Sequence, residues 1–265
     1  KVLHINEAGQ LLVDELQQLF TNKTKLIALT HVSNTLGTIN PIKKIIQQAH
    51  AKNVAVLIDG AQAVPHMAVD VRDLDADFYC FSGHKLFGPT GVGVLYGKEK
   101  WLNAMPPYQV GGGTIKTVTF EKTEYADLPL KFEAGTPHME GVIGLEAAIN
   151  YVNGIGLEHI AAYEHELLAY ATIELRKIAG VKIIGNATEK ASVLSFVVEG
   201  LHALDVGTLL DQLGIAVRTG HHCTQPLMQH YCIQGTIRVS LAFYNTSHEI
   251  DELVKGLKRA IEMLR

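Results

Sequence analysis

The 265-residue chain is 47% hydrophobic and 19% charged, an ordinary globular balance with enough length for a large core in one or two domains. A net charge of −4 gives no electrostatic case for nucleic acid or an anionic membrane, and no apolar run approaches membrane-spanning length. Three cysteines in a chain this long do not make a disulfide framework, which points to a reducing cytoplasm.

The chain opens on Lys1-Val2-Leu3-His4-Ile5, already strand-like, and reads as joined partway through. Leu12, Leu16, Leu19 and Phe20 recur at helical spacing, predicting a helix over 11–20 behind Gly9. Residues 25–30 read as a buried strand ending in the polar loop His31-Val32-Ser33-Asn34-Thr35-Leu36-Gly37. Pro41 opens a helix whose inner face is Ile42, Ile45, Ile46 and Ala49. Residues 54–58 form the next strand, closed by Asp59-Gly60-Ala61-Gln62. The run Phe78-Tyr79-Cys80-Phe81 has no polar alternation and suits a strand buried on both faces of a parallel sheet. A further strand covers 91–96. This rhythm predicts an α/β fold with a mostly parallel sheet flanked by helices.

Gly111-Gly112-Gly113-Thr114 lacks the strand–helix context of a phosphate loop and reads as a flexible turn before a strand over 115–120. A helix over about 141–152 breaks at Asn153-Gly154-Ile155-Gly156, the expected domain boundary. Beyond it the pattern predicts a helix over 157–178, strands over 181–184 and 193–198, a helix over 204–213 and a strand over 215–218. A short helix opened by Pro226, a strand over 236–241 and a final helix N-capped by Ser247 follow. Helices beside a mainly antiparallel sheet make a small α+β domain.

Three successive strands end in polar groups: His31 and Asn34, then Asp59 and Gln62, then Ser82, His84 and Lys85. Ligands of parallel sheets sit beyond these carboxyl ends. Lys85 alone could be a surface lysine in a turn. Straight after a buried strand, however, a desolvated lysine is a nucleophilic amine of the kind that forms Schiff bases with carbonyls, pyridoxal phosphate (PLP) among them. Asp59 reads as a turn aspartate or as the partner of the PLP pyridinium nitrogen. Gln62 could then reach the phenolic oxygen, and Ser82 and His84 the phosphate.

Cys223 lies in Arg218-Thr219-Gly220-His221-His222-Cys223-Thr224-Gln225-Pro226, just ahead of a helix and among basic groups, a position that favours a thiolate. Gly220 gives this loop freedom to move. Zinc binding by His221, His222 and Cys223 is disfavoured, because adjacent residues rarely bind one metal and no second cluster is visible. Cys80 reads as a buried structural cysteine and Cys232 as packed. Arg238, opposite Ile237, Val239 and Leu241, is either solvated or a clamp for a substrate carboxylate. His31, His66, His138 and His202 read as loop or surface residues.

With these residues in view, the chain resembles the class V, fold type I PLP enzymes, and most of all the group II cysteine desulfurases of the SufS kind. The polar loop after the first strand, Asp59-Gly60-Ala61-Gln62, Ser82-Gly83-His84-Lys85, Phe132-Glu133-Ala134-Gly135-Thr136-Pro137 and the Cys223 loop carry the resemblance. It implies the C-terminal part of a PLP-binding large domain over 1–156 and a small α+β domain over 157–265. Lys85 would hold PLP through its amine and then move protons, Asp59 would face the pyridinium nitrogen and Gln62 the phenolic oxygen. Ser82 and His84 would bind the phosphate, with Thr136 reaching the phosphate of a partner subunit's cofactor in a homodimer. Asn34 and Arg238, joined by Arg218, would hold the substrate. Cys223 would take sulfur from L-cysteine as a persulfide, releasing alanine, and pass it to an acceptor protein of iron–sulfur cluster assembly. Selenocysteine lyase activity, another class V reaction such as transamination, and a truncated binding or dimerisation partner are the alternatives. Family members carry a long N-terminal portion, absent here, that contributes phosphate contacts and a histidine stacked on the PLP ring.

Overall fold

The computed structural model describes residues 1–265. Strands β1 (Leu26–Thr30), β2 (Ala55–Asp59) and β3 (Phe78–Ser82) lie parallel in that order, and β4 (Gly93–Gly97) closes the sheet antiparallel to β3. The unbroken register sorts side chains by face. Ile27, Leu29, Val56, Ile58 and Tyr79 share one face and pack with Ile42, Ile46 and Ala49 of helix α2 (Ile42–His50). Those α2 residues recur at helical spacing, so one stripe of the helix is buried and the other is wet.

The opposite face carries Leu26, Ala28, Leu57, Asp59, Cys80, Ser82 and Leu95, and it is only partly covered. Leu26 is 48% exposed and Leu95 55% exposed. The expectation of strands buried on both faces therefore holds for one face, because the helix that packs closely on these strands lies on that side. Cys80 is half-buried rather than enclosed, for the same reason.

The expected helix over 11–20 is shorter. Leu11 pairs with Ile5 and the Leu12 N–H donates to the His4 carbonyl (2.8 Å), which draws the first half into a turn. Only a 3-10 turn (Val13–Glu15) and α1 (Leu16–Leu19) follow, seating Val13 and Leu16 on Ile45.

Helix α3 (Glu99–Ala104) leads to an exposed arm with the hairpin β5 (Ile115–Val118) and β6 (Thr123–Tyr125). Helices α4 (Met139–Ile155) and α5 (Leu157–Arg176) are separated by Gly156 alone, at φ 93°, so the helix breaks at the last residue of the expected Asn153–Gly156 stretch. A second, antiparallel sheet follows, with β7 (Val181–Ile184), β8 (Val193–Val198), β10 (Thr236–Ser240) and β9 (Arg218–Gly220) in that order. Helices α5, α6 (Ala203–Gln212) and α8 (Ser247–Leu264) cover it through the largest apolar core, centred on Phe196, Leu210, Ile237 and Leu257. The strand expected over 215–218 is displaced: Ile215 and Val217 pack against this core, and pairing starts at Arg218, opposite Arg238. The cap of α8 is Thr246, not Ser247. Thr246 and Glu249 exchange backbone and side-chain hydrogen bonds in a capping box. No helix is long and apolar enough to cross a membrane.

Gly60 follows Asp59, and its N–H donates to the Cys80 carbonyl (2.8 Å). A Cβ here would overlap the Tyr79 ring. Gly60→Ala is expected to destabilise the protein by about 2–3 kcal/mol, read as a lower urea midpoint. An unchanged midpoint would show that backbone and ring can separate freely.

Candidate active site

The site is built where the first sheet meets the second. The stretch after β1 is not a free loop. Val32 pairs with Ile39, Thr38 pairs with Lys190, and the Ala191 N–H donates to the Gly37 carbonyl (2.8 Å). Residues 31–40 thus form a hairpin-like spur that reaches the second sheet. Ser195 Oγ of β8 donates to the Thr35 carbonyl (2.6 Å) and is itself fully buried.

The tip of the spur holds two site elements at once. Asn34 Nδ2 donates to the His222 carbonyl (2.7 Å), and Arg238 Nη1 donates to the Asn34 carbonyl (2.9 Å). The Thr35 and Thr224 hydroxyls are hydrogen-bonded at 2.9 Å. Cys223 lies between His222 and Thr224, so both of its neighbours are fastened to the spur. The expected freedom conferred by Gly220 is offset by these ties. Cys223 is exposed and, like His222, has positive φ, at 62° and 53°. Two successive non-glycine residues in this region are costly and are held by their surroundings. Thr224 caps α7 (Gln225–His230), placing Cys223 just before the cap.

Arg238 is half-buried on β10, with Arg218 as its cross-strand partner. Burial, then the Arg218 charge, holds its pKa below the usual arginine range. Its Nε is buried without a partner and no carboxylate pairs with it. This excludes the reading as a solvated-face arginine. Such a cation is a ready receptor for a carboxylate.

Across the junction, Lys85 sits in a 3-10 turn (Gly83–Leu86) directly after β3. The turn is fixed from both sides. The Gly83 N–H donates to the Val92 carbonyl (2.8 Å), and Leu86 packs with Leu145, Val152 and Ile160. Lys85 is half-buried and forms neither an ion pair nor a hydrogen bond. Asp59 and Ser82 lie on the partly open sheet face, Asp59 opposite Cys80 in register. Asp59 Oδ1 accepts from the Ala61 N–H (2.9 Å), and the carboxylate has no cationic partner. Burial, with the Asp59 charge second, pushes the Cys80 thiol up. Gln62 is half-buried and His84 exposed on the same carboxyl edge. Thr136 is exposed, in the stretch between the β5–β6 hairpin and α4.

Two histidines taken for loop or surface residues are internal. His31 is 5% exposed, and its Nδ1 and the Tyr79 hydroxyl are hydrogen-bonded at 2.9 Å. His66 Nδ1 is bonded to Glu164 Oε2 of α5 (2.7 Å). His138 and His202 are exposed, as expected, His202 capping α6. Cys232 is exposed rather than packed.

The Aminotransferase class-V family profile matches residues 1–253. The chain belongs to the class V aminotransferase family. A cysteine desulfurase of Cronobacter sakazakii is 53% identical over 265 residues, covering 100% of this chain and 65% of the relative. One from Synechococcus elongatus is 52% identical over 98% of this chain and 41% of its own length. The apo structure of a cysteine desulfurase from Thermococcus onnurineus superposes with a TM-score of 0.95 at 37% identity, covering 99% of this chain and 66% of the other. The chain thus spans less than two thirds of these class V relatives. The α/β fold, a parallel-rich sheet flanked by helices, is the one these structures share.

Burial holds the pKa of both His31 and His222 at about 4, with the Arg238 charge a further cause at His222. Both rings are neutral in the folded site, while the unfolded chain binds their protons below a pKa of about 6.5. Stability is therefore full above about pH 6.5 and falls toward pH 4, by on the order of 3 kcal/mol for each ring. Urea midpoints between these pH values should decline in the wild type and less steeply in His31→Gln. Equal slopes would remove His31 as a source of the decline.

Proposed function

We propose that this chain carries the PLP site of a group II, SufS-like cysteine desulfurase that takes sulfur from L-cysteine onto Cys223. The observation that carries the reading is Asn34, bonded at once to the Cys223 loop and to Arg238. One residue thereby joins a nucleophile to a carboxylate receptor.

The residues fit PLP chemically. An unpaired half-buried amine, an uncompensated carboxylate and an unpartnered hydroxyl gather at one sheet edge, in Lys85, Asp59 and Ser82. Lys85 would hold the cofactor, Asp59 the proton on its ring nitrogen, Gln62 its phenolic oxygen, and Ser82 and His84 its phosphate. PLP, when bound, supplies an electron sink for the bonds at the substrate Cα and Cβ. Arg238 and Asn34, with Arg218 beside them, bind and orient the substrate carboxylate. Lys85 Nζ moves the proton at the substrate Cα. Cys223 Sγ attacks the substrate sulfur, forming an S–S bond as the C–S bond breaks and alanine leaves. The persulfide, on an exposed residue, is placed for transfer to an acceptor protein of iron–sulfur assembly.

Residues 1–156 and 157–265 form two domains in this reading, supported by the two separate sheets and the break at Gly156. A homodimer is supported by the bare side of α4, where Met139, Val142, Ile143 and Tyr151 are 55–66% exposed. Thr136, exposed in the stretch before α4, would serve the partner's cofactor. Three free thiols suit a reducing cytoplasm.

With PLP added, a violet absorption band is expected that Lys85→Ala abolishes. Its absence in a folded wild-type chain would favour a binding or dimerisation role. Cys223→Ala should keep the band and lose alanine and persulfide formation on the order of 10³-fold or more. Wild-type turnover in that variant, or keto-acid-dependent amine transfer, would redirect the assignment to another class V reaction. Arg238→Ala should raise KM about thirtyfold, the loss of a charge-assisted hydrogen bond. Parallel rates on L-selenocysteine distinguish the lyase reading.

A further inference from the structure

A second set of unpaired cations lies away from the site, where α5 passes the loop joining β7 to β8. A cleft of about 290 Å3 opens there. Its rim carries Lys190, Arg176, His165 and Thr188, and its floor is apolar, with Leu168 and Leu194. Arg176 Nη2 donates to Asn186 Oδ1 (3.0 Å), which fixes the guanidinium beside the cleft. Lys190 is pinned by its backbone, paired with Thr38 of the spur, and by one bond from Nζ to the Gly185 carbonyl (3.0 Å). Neither cation pairs with a carboxylate.

An ammonium group has three donors, and here one is used. A partly buried charge without a counterion is expensive, and a second cation nearby adds to the cost. Burial, followed by the Arg176 charge, lowers the Lys190 pKa to about 8. A cap on one carbonyl does not require a charged side chain facing a cleft, nor an arginine at its rim.

We propose that this cleft is a binding site for a small organic oxyanion, a phosphate or carboxylate on a compact apolar body, held by Lys190 and Arg176. The cations meet the anion at the rim and the apolar floor takes its body. The loop that carries Lys190 also pairs with the spur, through the Ile39 N–H donating to the Glu189 carbonyl (3.0 Å). An occupant would brace the base of the segment that holds Asn34.

The test uses the whole chain with its lysines labelled by reductive 13C-methylation, the Lys190 signal being identified by its loss in Lys190→Arg. The probes are inorganic phosphate and n-propylphosphonate. All titrations are repeated in Ser82→Ala, which removes a residue of the proposed cofactor-phosphate site and so separates the two sites. The Lys190 signal should titrate near pH 8 without oxyanion and move to higher pH on saturation, because an anion favours the charged amine. Binding should have a Kd on the order of 1 mM for phosphate and about tenfold tighter for the phosphonate. Arg176→Ala, an exposed position that leaves the fold intact, should weaken both about tenfold. A Lys190 midpoint unmoved by either probe, or a shift that survives Arg176→Ala at full strength, would overturn the proposal.

Discussion

The structure depends on the spur of residues 31–40. Two sheets with separate cores share few side chains, so a few buried hydrogen bonds fix how they meet. Ser195 to Thr35, Ala191 to Gly37 and Asn34 to His222 all leave from this one segment. Each is shielded enough that a lost partner would leave a polar group unsatisfied. The spur also starts at the site. The His31 N–H donates to the Asp59 carbonyl (2.8 Å) and Asn34 bonds the His222 carbonyl, so the strand carrying the carboxylate and the loop carrying the thiol are joined through the short stretch His31–Asn34.

Electrostatics in the site run on imbalance. Lys85, Arg218 and Arg238 lack carboxylate partners, and Asp59 lacks a cation. The buried Asp77, by contrast, is fully compensated. Asp77, buried beneath β2, accepts from Trp101 Nε1 (2.7 Å) and the Val56 N–H (2.9 Å), is bonded to His50 Nε2 (2.7 Å), and has Lys98 3.5 Å away. The contrast separates groups that hold the fold from groups that await a ligand, since leaving charges unpaired costs stability that only binding returns.

Much of this was legible in the residues. Apolar runs located β2, β3, β7 and β8, and the helical stripe of Ile250, Leu253, Val254 and Leu257 located α8. The motif strings around Asp59, Lys85 and Cys223 were readable because each carries a glycine that the structure requires, Gly60 against Tyr79, Gly83 against Val92 and Gly220 at positive φ. The spur was not, because its pairing partners lie some 150 residues away and its composition is that of a loop. His31 looked like a surface residue because histidine's burial is decided by a distant hydroxyl, here Tyr79, as it is by Thr236 for His222. The half-bare sheet face was equally hidden. An unbroken apolar run says that a strand is meant to be covered, not by what.

That face has a consequence for how the molecule behaves in bulk. β1 and β4 are both sheet edges, and Leu26 and Leu95 stand at 48% and 55% exposure along them. A net charge of −4 spread over 265 residues repels weakly and is screened within about 8 Å at physiological salt. Charge repulsion is therefore a weak guard for these edges. Unpaired N–H and C=O groups beside exposed aliphatics form a template that accepts further strands. Crowding, salt and protein concentration all push in the same direction, toward a chain that prefers company to water.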